Sequence, residues 1–453
     1  MDLKSRMRGP VLVPGDARYD EARSLWNARI DRRPRLIARC VGAADVMAAV
    51  DFAREHDLPL SVRGGGHHVS GHAVVDGGLM IDLSLMNHVR VDRWSRTARV
   101  GPGARVRDLD HEAQRFGLMT TGAPVSMVGI AGYTLGGGLG WTSRLHGLAC
   151  DNLLSADVVT AAGELVRASE VENADLFWGL RGGGGNFGVV TSFELRLHPL
   201  GPEVLAGPVV HRMDDAAALL KVWRDVMTTA PDALQCMPIM FALPPEPGSG
   251  RSQGDTAFAL FLLWAGDAAE GEAFLQPLRG AGEPMADGVR IASYATLLAD
   301  LDETYRGGHR VYYRTAFFDE LPDTALDRIA ELTAPVPSPF SSVFLEPLGG
   351  AIARRPADAT AFPHRERRFC VTAVPKWAYA ADDAAMTGWA DRLLDALAPD
   401  AASGMYVNYL DDQAGVSPTE AWGAHAHRLA ELKQRWDPTN LFRMNHIIRP
   451  TPE

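Results

Sequence analysis

The sequence predicts an α+β protein, on three observations. Over the first 200 residues, short apolar strands alternate with helical stretches and glycine-rich turns. After His198-Pro199-Leu200-Gly201-Pro202 those turns disappear, and longer strand and helix segments take over. The tail then returns to the features of the first part. These shifts divide the chain into residues 1–202, a central domain of residues 203–400 and a C-terminal segment of residues 401–453.

Each element has a local reason. Ala43 to His56 places Val46, Val50 and Ala53 on one helical face, and Leu58 to Val62 follows as a short apolar strand. Ala104 to Phe116 repeats the helical pattern through Val106, Leu109, Ala113 and Phe116, with Gly117 as its C-terminal cap. Leu79 to Leu83, Leu153 to Thr160 and Phe187 to Leu197 read as strands. In the last, Phe193, Leu195 and Leu197 alternate with Glu194 and Arg196. Thr256 to Trp264 and Asp382 to Leu397 are the long segments of the central domain, and residues 244–254 form a Pro-, Gly- and Ser-rich exposed loop. In the tail, Tyr406-Val-Asn-Tyr409 is strand-like. Thr419 to Trp436 is an amphipathic helix carrying Trp422, Leu429, Leu432 and Trp436, and Asp437-Pro438 stops it.

Composition excludes several functions. A net charge of −11 without a basic stripe argues against nucleic-acid binding. Lysine occurs only at Lys4, Lys221, Lys376 and Lys433, with no Gly-Lys pair, so a phosphate loop of the ATPase type is absent. Cys40, Cys150, Cys236 and Cys370 are scattered, as expected of reduced, buried thiols. No apolar run approaches the roughly 18 residues of a membrane helix, and Met1 to Asp16 lacks a signal-peptide core. The expectation is a soluble cytoplasmic protein with no membrane or nucleic-acid partner; its oligomeric state is not legible.

The most informative stretch is Arg63-Gly64-Gly65-Gly66-His67-His68-Val69-Ser70-Gly71, directly after a strand. Consecutive glycines let backbone approach a ligand closely, and a nucleophilic imidazole follows them. Further clusters lie at Gly129 to Gly140 and Gly182 to Gly188. The latter contains Gly183-x-Gly185-x-x-Gly188, but it leads into a strand, whereas a dinucleotide fingerprint needs a strand before it and a helix after it. Three clusters with so few lysines point to a shared anionic ligand held by backbone amides. His67, His68 and His72 lack both the helical spacing of a zinc motif and an adjacent acidic partner, so no metal is expected.

Together, Arg63-Gly-Gly-Gly-His67, Gly129-Ile-Ala-Gly132 with Gly136 to Gly138, Asp151-Asn-Leu-Leu-Ser155, Gly182 to Ser192, Tyr406-Val-Asn-Tyr409, and Asp437-Pro-Thr-Asn-Leu-Phe442 with Asn445 resemble the berberine-bridge-enzyme-like branch of the vanillyl-alcohol-oxidase flavoproteins. The resemblance implies a two-part PCMH-type FAD-binding domain from both chain ends, around a central substrate domain with an antiparallel sheet flanked by helices. It implies FAD joined to His67 through the flavin 8α-methyl carbon. Val125 stands where many relatives carry a second, cysteine linkage, so a single covalent bond is expected. The implied cofactor-binding set is Arg63, Gly64, Gly65, Gly66, His67, His68, Gly71, His72, Val128, Gly129, Gly132, Gly137, Gly138, Val190, Asn408 and Asn445.

The resemblance implies that the tyrosine after Asn408, Tyr409, is the base, with Tyr406 as the alternative. On a strand the two would face opposite sides, and the base would need its phenol lowered from near 10. The implied reaction takes hydride from a C–H beside a hydroxyl or amine of a small sugar, alkaloid-like or other secondary-metabolite molecule. The resemblance further implies that dioxygen reoxidises the flavin to give hydrogen peroxide, and it places the small side chain of Val128 where relatives tune oxygen access, a permissive choice. A dehydrogenase or reductase of the same fold, or a non-catalytic FAD-binding protein, stays open at this stage. Tyr312, Tyr313, His364, Arg365, Lys376 and Trp377 are candidates for the cavity wall, none with an assigned role.

Overall fold

The computed structural model describes residues 2–243, 255–412, 417–446 and 448–451. The loop expected over residues 244–254 lies outside them. Three main sheets carry the chain. In the first, Leu36–Arg39, Leu79–Asp82 and Leu60–Arg63 run parallel, with Val11–Leu12 antiparallel at the edge. Parallel neighbours need a crossover, and the helix Ala43–Glu55 supplies one, burying Val46, Ala49, Val50 and Ala53 completely. The chain therefore leaves Leu60–Arg63 straight into Gly64 to Gly66.

The second sheet is antiparallel, in the order 89–92, 97–100, 189–196, 153–159 and 165–169. Phe193 and Leu195 are buried and Arg196 is exposed, as their alternation requires. The glycines at 183, 185 and 188 sit between the helix Ala174–Leu180 and the strand Val189–Arg196. That is the reverse of the strand-then-helix order a dinucleotide fingerprint needs.

The central sheet is antiparallel and runs 286–287, 203–212, 256–264, 234–242, 342–347, 369–374 and 314–318, with 290–293 also pairing with 203–212. The helices Ala216–Thr229, Asp323–Leu332 and Asp383–Leu397 cover one face, with Trp223, Leu326 and Leu393 in that core. Met237, Leu263, Phe344 and Val374 point the other way, into a core shared with Val190 and Trp422. Both faces are covered, so Thr256–Trp264 is a nearly continuous apolar run without alternation.

Two expectations for the tail are corrected. Val407–Tyr409 is a single 3-10 turn, closed by Tyr409 N–H donating to Tyr406 C=O at 2.9 Å. Tyr406 and Tyr409 consequently meet, their ring centroids 4.7 Å apart, where a strand would have separated them. The expected helix over 419–436 is α-helical only from Ala426 to Trp436. Two 3-10 turns, Pro418–Ala421 and Gly423–His425, precede it, and Gly423, at a left-handed φ of +44°, opens the second of them. Among the described residues no helix is long and apolar enough to cross a membrane.

Buried ion pairs join the parts. Arg365 of the central domain grips Asp151 with both terminal nitrogens, at 3.0 and 2.7 Å, and both side chains are essentially unexposed. Lys433, fully buried, donates to Asp437 at 2.6 Å, to Asn186 C=O at 2.7 Å and to Phe442 C=O at 3.1 Å. Asp437 in turn accepts the backbone N–H of Leu441 and of Phe442. This network ties the tail to the third glycine cluster. Lys433→Met would strand the Asp437 carboxylate in the core, and we expect a loss of about 3–5 kcal/mol in urea unfolding. A change within experimental error would show that the tail is held by packing alone.

Candidate active site

The glycine clusters meet where no side chain fits. A Cβ added to Gly65 would lie 2.6 Å from the Cα of Gly129, and one on Gly129 would lie 2.5 Å from the Cα of Gly65. Gly136 abuts Asn408, where a Cβ would stand 1.9 Å from Oδ1. At Gly132 the added Cβ would meet nothing within 4 Å, because that side opens on a cleft. Gly64, Gly65, Gly66, Gly129, Gly132, Gly136, Gly184 and Gly185 border this cleft, and its bordering residues include no lysine, arginine or carboxylate. An anion entering it meets backbone N–H groups rather than charged side chains.

His67 lies in the cleft wall with its imidazole stacked on Trp26 (centroids 4.3 Å, interplanar angle 18°). Burial, reinforced by the positive charges of Arg105 and Lys376, lowers its pKa to about 3. The ring is therefore neutral near pH 7 and keeps a nucleophilic lone pair. His68 also titrates low, at about 3, mainly through burial. It donates to Val407 C=O at 2.9 Å and accepts Ser70 N–H at 3.2 Å, so both ring nitrogens are engaged. His72 reaches Asp412 at 2.5 Å, and His446 lies 3.2 Å from the same carboxylate. His68, His72 and His446 bring their ring nitrogens within 4.8 Å of one another, a grouping that sequence spacing did not reveal.

Beyond the glycines the cleft becomes an aromatic chamber bordered by Tyr305, Tyr313, Phe344, Tyr406 and Tyr409, with Met237, Pro124 and Val125. Tyr313 and Phe344 both present to Tyr409 edge to face, at 5.7 and 5.9 Å. The hydroxyl of Tyr409 donates to Glu346 at 3.3 Å. Glu346 shares a strand face with Phe344, is buried, and its second carboxyl oxygen has no partner among the described residues. Burial raises its pKa to about 8, and the Tyr409 hydrogen bond opposes the shift. No reading of the sequence named Glu346. The available signal was an acid inside the apolar run Ser342-Val343-Phe344-Leu345-Glu346-Pro347.

Neither tyrosine has the lowered pKa that a free-standing base needs: burial raises both, and the Glu346 charge adds to the shift. Tyr406 differs in its contacts. Its oxygen accepts N–H groups from Gly138 at 2.9 Å, Leu139 at 3.0 Å and the Asn408 amide at 2.9 Å. Asn408 spends its other donor on Tyr133 C=O, and Asn445 donates to Gly185 and Phe442 carbonyls. Both asparagines border the cleft, yet their N–H groups tie loops together.

The structure brings Gly64, Gly65, Gly66, His67, His68, His72, Val128, Gly129, Gly132, Asn408, Asn445, Tyr406 and Tyr409 to this one cleft. Arg63, Gly71, Gly137, Gly138 and Val190, expected in the cofactor-binding set, do not border it. Arg63 donates to Ala22 C=O, Gly71 packs on Ile30, and Val190 pairs with Val158 inside a sheet. Gly137 and Gly138 adopt φ of +120° and +92° and make the turn whose N–H caps Tyr406. Of the central-domain candidates, Tyr313 borders the cleft, whereas Tyr312 bonds Asp391, His364 bonds Ala421 C=O, Arg365 bonds Asp151 and Trp377 bonds Asp383. Lys376 lies behind the wall and donates to Thr304 C=O at 2.6 Å.

A glycine-walled groove, a neutral imidazole in its wall and an adjoining aromatic chamber fit a flavin dinucleotide with a substrate beside it. Comparison with known proteins agrees. Residues 34–169 match the family model "FAD binding domain", and residues 405–449 match "Berberine and berberine like". The chain is 33% identical to (R)-6-hydroxynicotine oxidase of Paenarthrobacter nicotinovorans, over 98% of this chain and 97% of that protein. It is 30% identical to xylooligosaccharide oxidase of Thermothelomyces thermophilus, over 97% and 92%. The crystal structure of 6-hydroxy-D-nicotine oxidase from Arthrobacter nicotinovorans superimposes with a TM-score of 0.87 at 30% identity, covering 98% of both chains. With its fold, its glycine-lined cleft and these relatives in agreement, the chain belongs to the berberine-bridge-enzyme-like family of FAD-linked oxidases.

Proposed function

We propose that this FAD-dependent oxidase acts on a compact, largely apolar amine or alcohol, with its flavin tethered through His67 and dioxygen as the final electron acceptor. The pairing of Tyr409 with buried Glu346 at the aromatic end of the cleft carries this reading. When bound, FAD supplies the two-electron acceptor. Everything else falls to the chain. The backbone of Gly64 to Gly66, Gly129 and Gly132 holds the anionic part, Asn408 and Asn445 brace the loops around it, and Arg63, Gly71, Gly137, Gly138 and Val190 support the wall from behind. His67, neutral and half-buried, is the attachment point; His68 and His72 brace the same loop.

At the substrate end, Tyr313, Phe344 and Tyr409 orient a flat or compact apolar body and exclude water. The hydroxyl or amine of the substrate meets Tyr409, which takes its proton while passing its own to Glu346. Tyr406 suits this step less well, since three donors already occupy its oxygen. Its role in this reading is to hold the Gly138 turn against the chamber. The chamber is poor in the amides and charged groups that would match a sugar's many hydroxyls, which favours the nicotine-type over the oligosaccharide-type relative. Val128, small and bordering the cleft, leaves room for dioxygen. The four cysteines, buried and unpaired, suit a reducing compartment such as the cytoplasm.

The tether is read by acid precipitation. Yellow colour should stay with the pellet, one flavin adduct should map to the His67 peptide, and His67→Ala should release its flavin to the supernatant. Colour lost from the wild-type pellet would overturn the tether. The proton path is read by kinetics with a hydrogen-peroxide-coupled screen of amines, alcohols and sugars. Glu346 accepts a proton only when ionised, so kcat/KM should fall as pH drops below about 8. Glu346→Gln should abolish that limb and cost about 10²–10⁴-fold in rate. Tyr409→Phe should show a loss of the same order, and Tyr406→Phe a smaller one. The reverse ranking would move the base to Tyr406.

A further inference from the structure

His67 makes no hydrogen bond among the described residues, yet its ring must be held for a nitrogen to point at one atom of a ligand. Among the described residues the aromatic ring stacked on its face is that of Trp26. That indole is itself fixed at several points. Its backbone N–H donates to Gly66 C=O at 3.1 Å, its Nε1 donates to Tyr305 C=O at 2.6 Å, and its carbonyl accepts Gly308 N–H at 3.3 Å. Tyr313 packs on it edge to face at 6.2 Å, and the Lys376 ammonium lies 5.9 Å from its centroid. Trp26 is 8% exposed. It is thus a rigid plate bolted to both the glycine loop and the central domain, with His67 lying flat upon it.

We infer that Trp26 is the positioning residue for flavin attachment, holding the His67 imidazole in the plane from which its unprotonated nitrogen reaches the 8α carbon. This rests on the tether proposed above. In the attachment one N–C bond forms, and one C–H bond of the methyl group and the imidazole N–H bond break. Two protons leave, and the two electrons released pass through the flavin to dioxygen, giving hydrogen peroxide. Stacking suits the task better than a hydrogen bond would. A hydrogen bond to the ring would occupy a nitrogen or fix one tautomer, whereas an aromatic face restricts the ring's tilt and leaves both nitrogens free. The nearby Lys376 and Arg105 charges act in the same direction, since they disfavour the protonated ring that has no lone pair to offer.

The test compares wild type, Trp26→Leu, Trp26→Phe and His67→Ala as purified holoproteins. For each, the flavin retained in the acid pellet is divided by the total flavin bound before acid, and the adduct is followed by intact mass during incubation with FAD in air. Trp26→Leu should bind flavin and melt near the wild-type temperature, yet its attachment should slow by about tenfold to a hundredfold. Trp26→Phe, which keeps a flat ring, should recover most of the rate. A purely structural role would change flavin content and melting together and would leave the attached fraction of bound flavin unaltered. Attachment in Trp26→Leu as fast as in wild type would overturn the proposal. If Trp26→Leu fails to fold, a Trp26→Phe rate below wild type supports it, and a rate equal to wild type with Trp26→His and Trp26→Met equally fast overturns it. Wild-type protein that releases all its flavin on acidification would instead refute the tether, a different result from unaltered attachment in the variants.

Discussion

The cleft depends on one steric constraint, the passage of Gly65 against Gly129 at a separation that excludes a Cβ on either residue. A parallel strand delivers the first loop, and the turn that opens the short helix Ile130–Leu135 delivers the second. Their contact sets the distance between the His67 loop and the Gly132 to Gly138 turn. The turn in turn caps Tyr406, whose neighbour is Tyr409, whose hydroxyl reaches Glu346 on the central sheet. A side chain at either glycine would widen the groove and move each later member of that chain of contacts. Backbone serves there because the residues bordering the groove include no lysine or arginine to meet an anion.

The second organising effect is burial, the largest influence on the protonation of both His67 and Glu346. The same low-dielectric wall keeps the His67 imidazole neutral and pushes the Glu346 carboxyl up to about 8. One change leaves an imidazole with a free lone pair, and the other leaves a carboxyl that titrates near neutral pH. Elsewhere the protein pairs its buried charges, as in Arg365 with Asp151 and Lys433 with Asp437. Among the described residues Glu346 and Asp110 are buried carboxylates that each keep an oxygen without a partner, and of the two it is Glu346 that reaches a cleft residue, through Tyr409.

Much was legible in the sequence because it is local. The helix Ala43–Glu55, the strand Thr256–Trp264 and the alternation of Phe193, Leu195 and Arg196 follow from the side-chain periods of helix and strand. The misplaced fingerprint at Gly183 to Gly188 could be set aside on the order of its flanking elements alone. The tail was misjudged where short-range rules are weak. Tyr406-Val-Asn-Tyr409 has strand composition, but three N–H donors converging on the Tyr406 oxygen hold it in a turn. Gly423 breaks a helix that the apolar period would otherwise have continued.

By itself the sequence determined the α+β class, the glycine loops with the histidines that follow the first of them, and the pair of tyrosines in the tail, because each is written as a motif within a few consecutive residues. Tertiary structure alone decided that Tyr406 and Tyr409 face each other, that Trp26 lies under His67, and that Glu346 stands behind Tyr409. These pairs are 41 residues or more apart in the chain, or depend on a 3-10 turn held from outside itself, as at Val407–Tyr409. A residue's charge state follows from what surrounds it in space, and for Glu346 and His67 those surroundings come from segments distant in the chain.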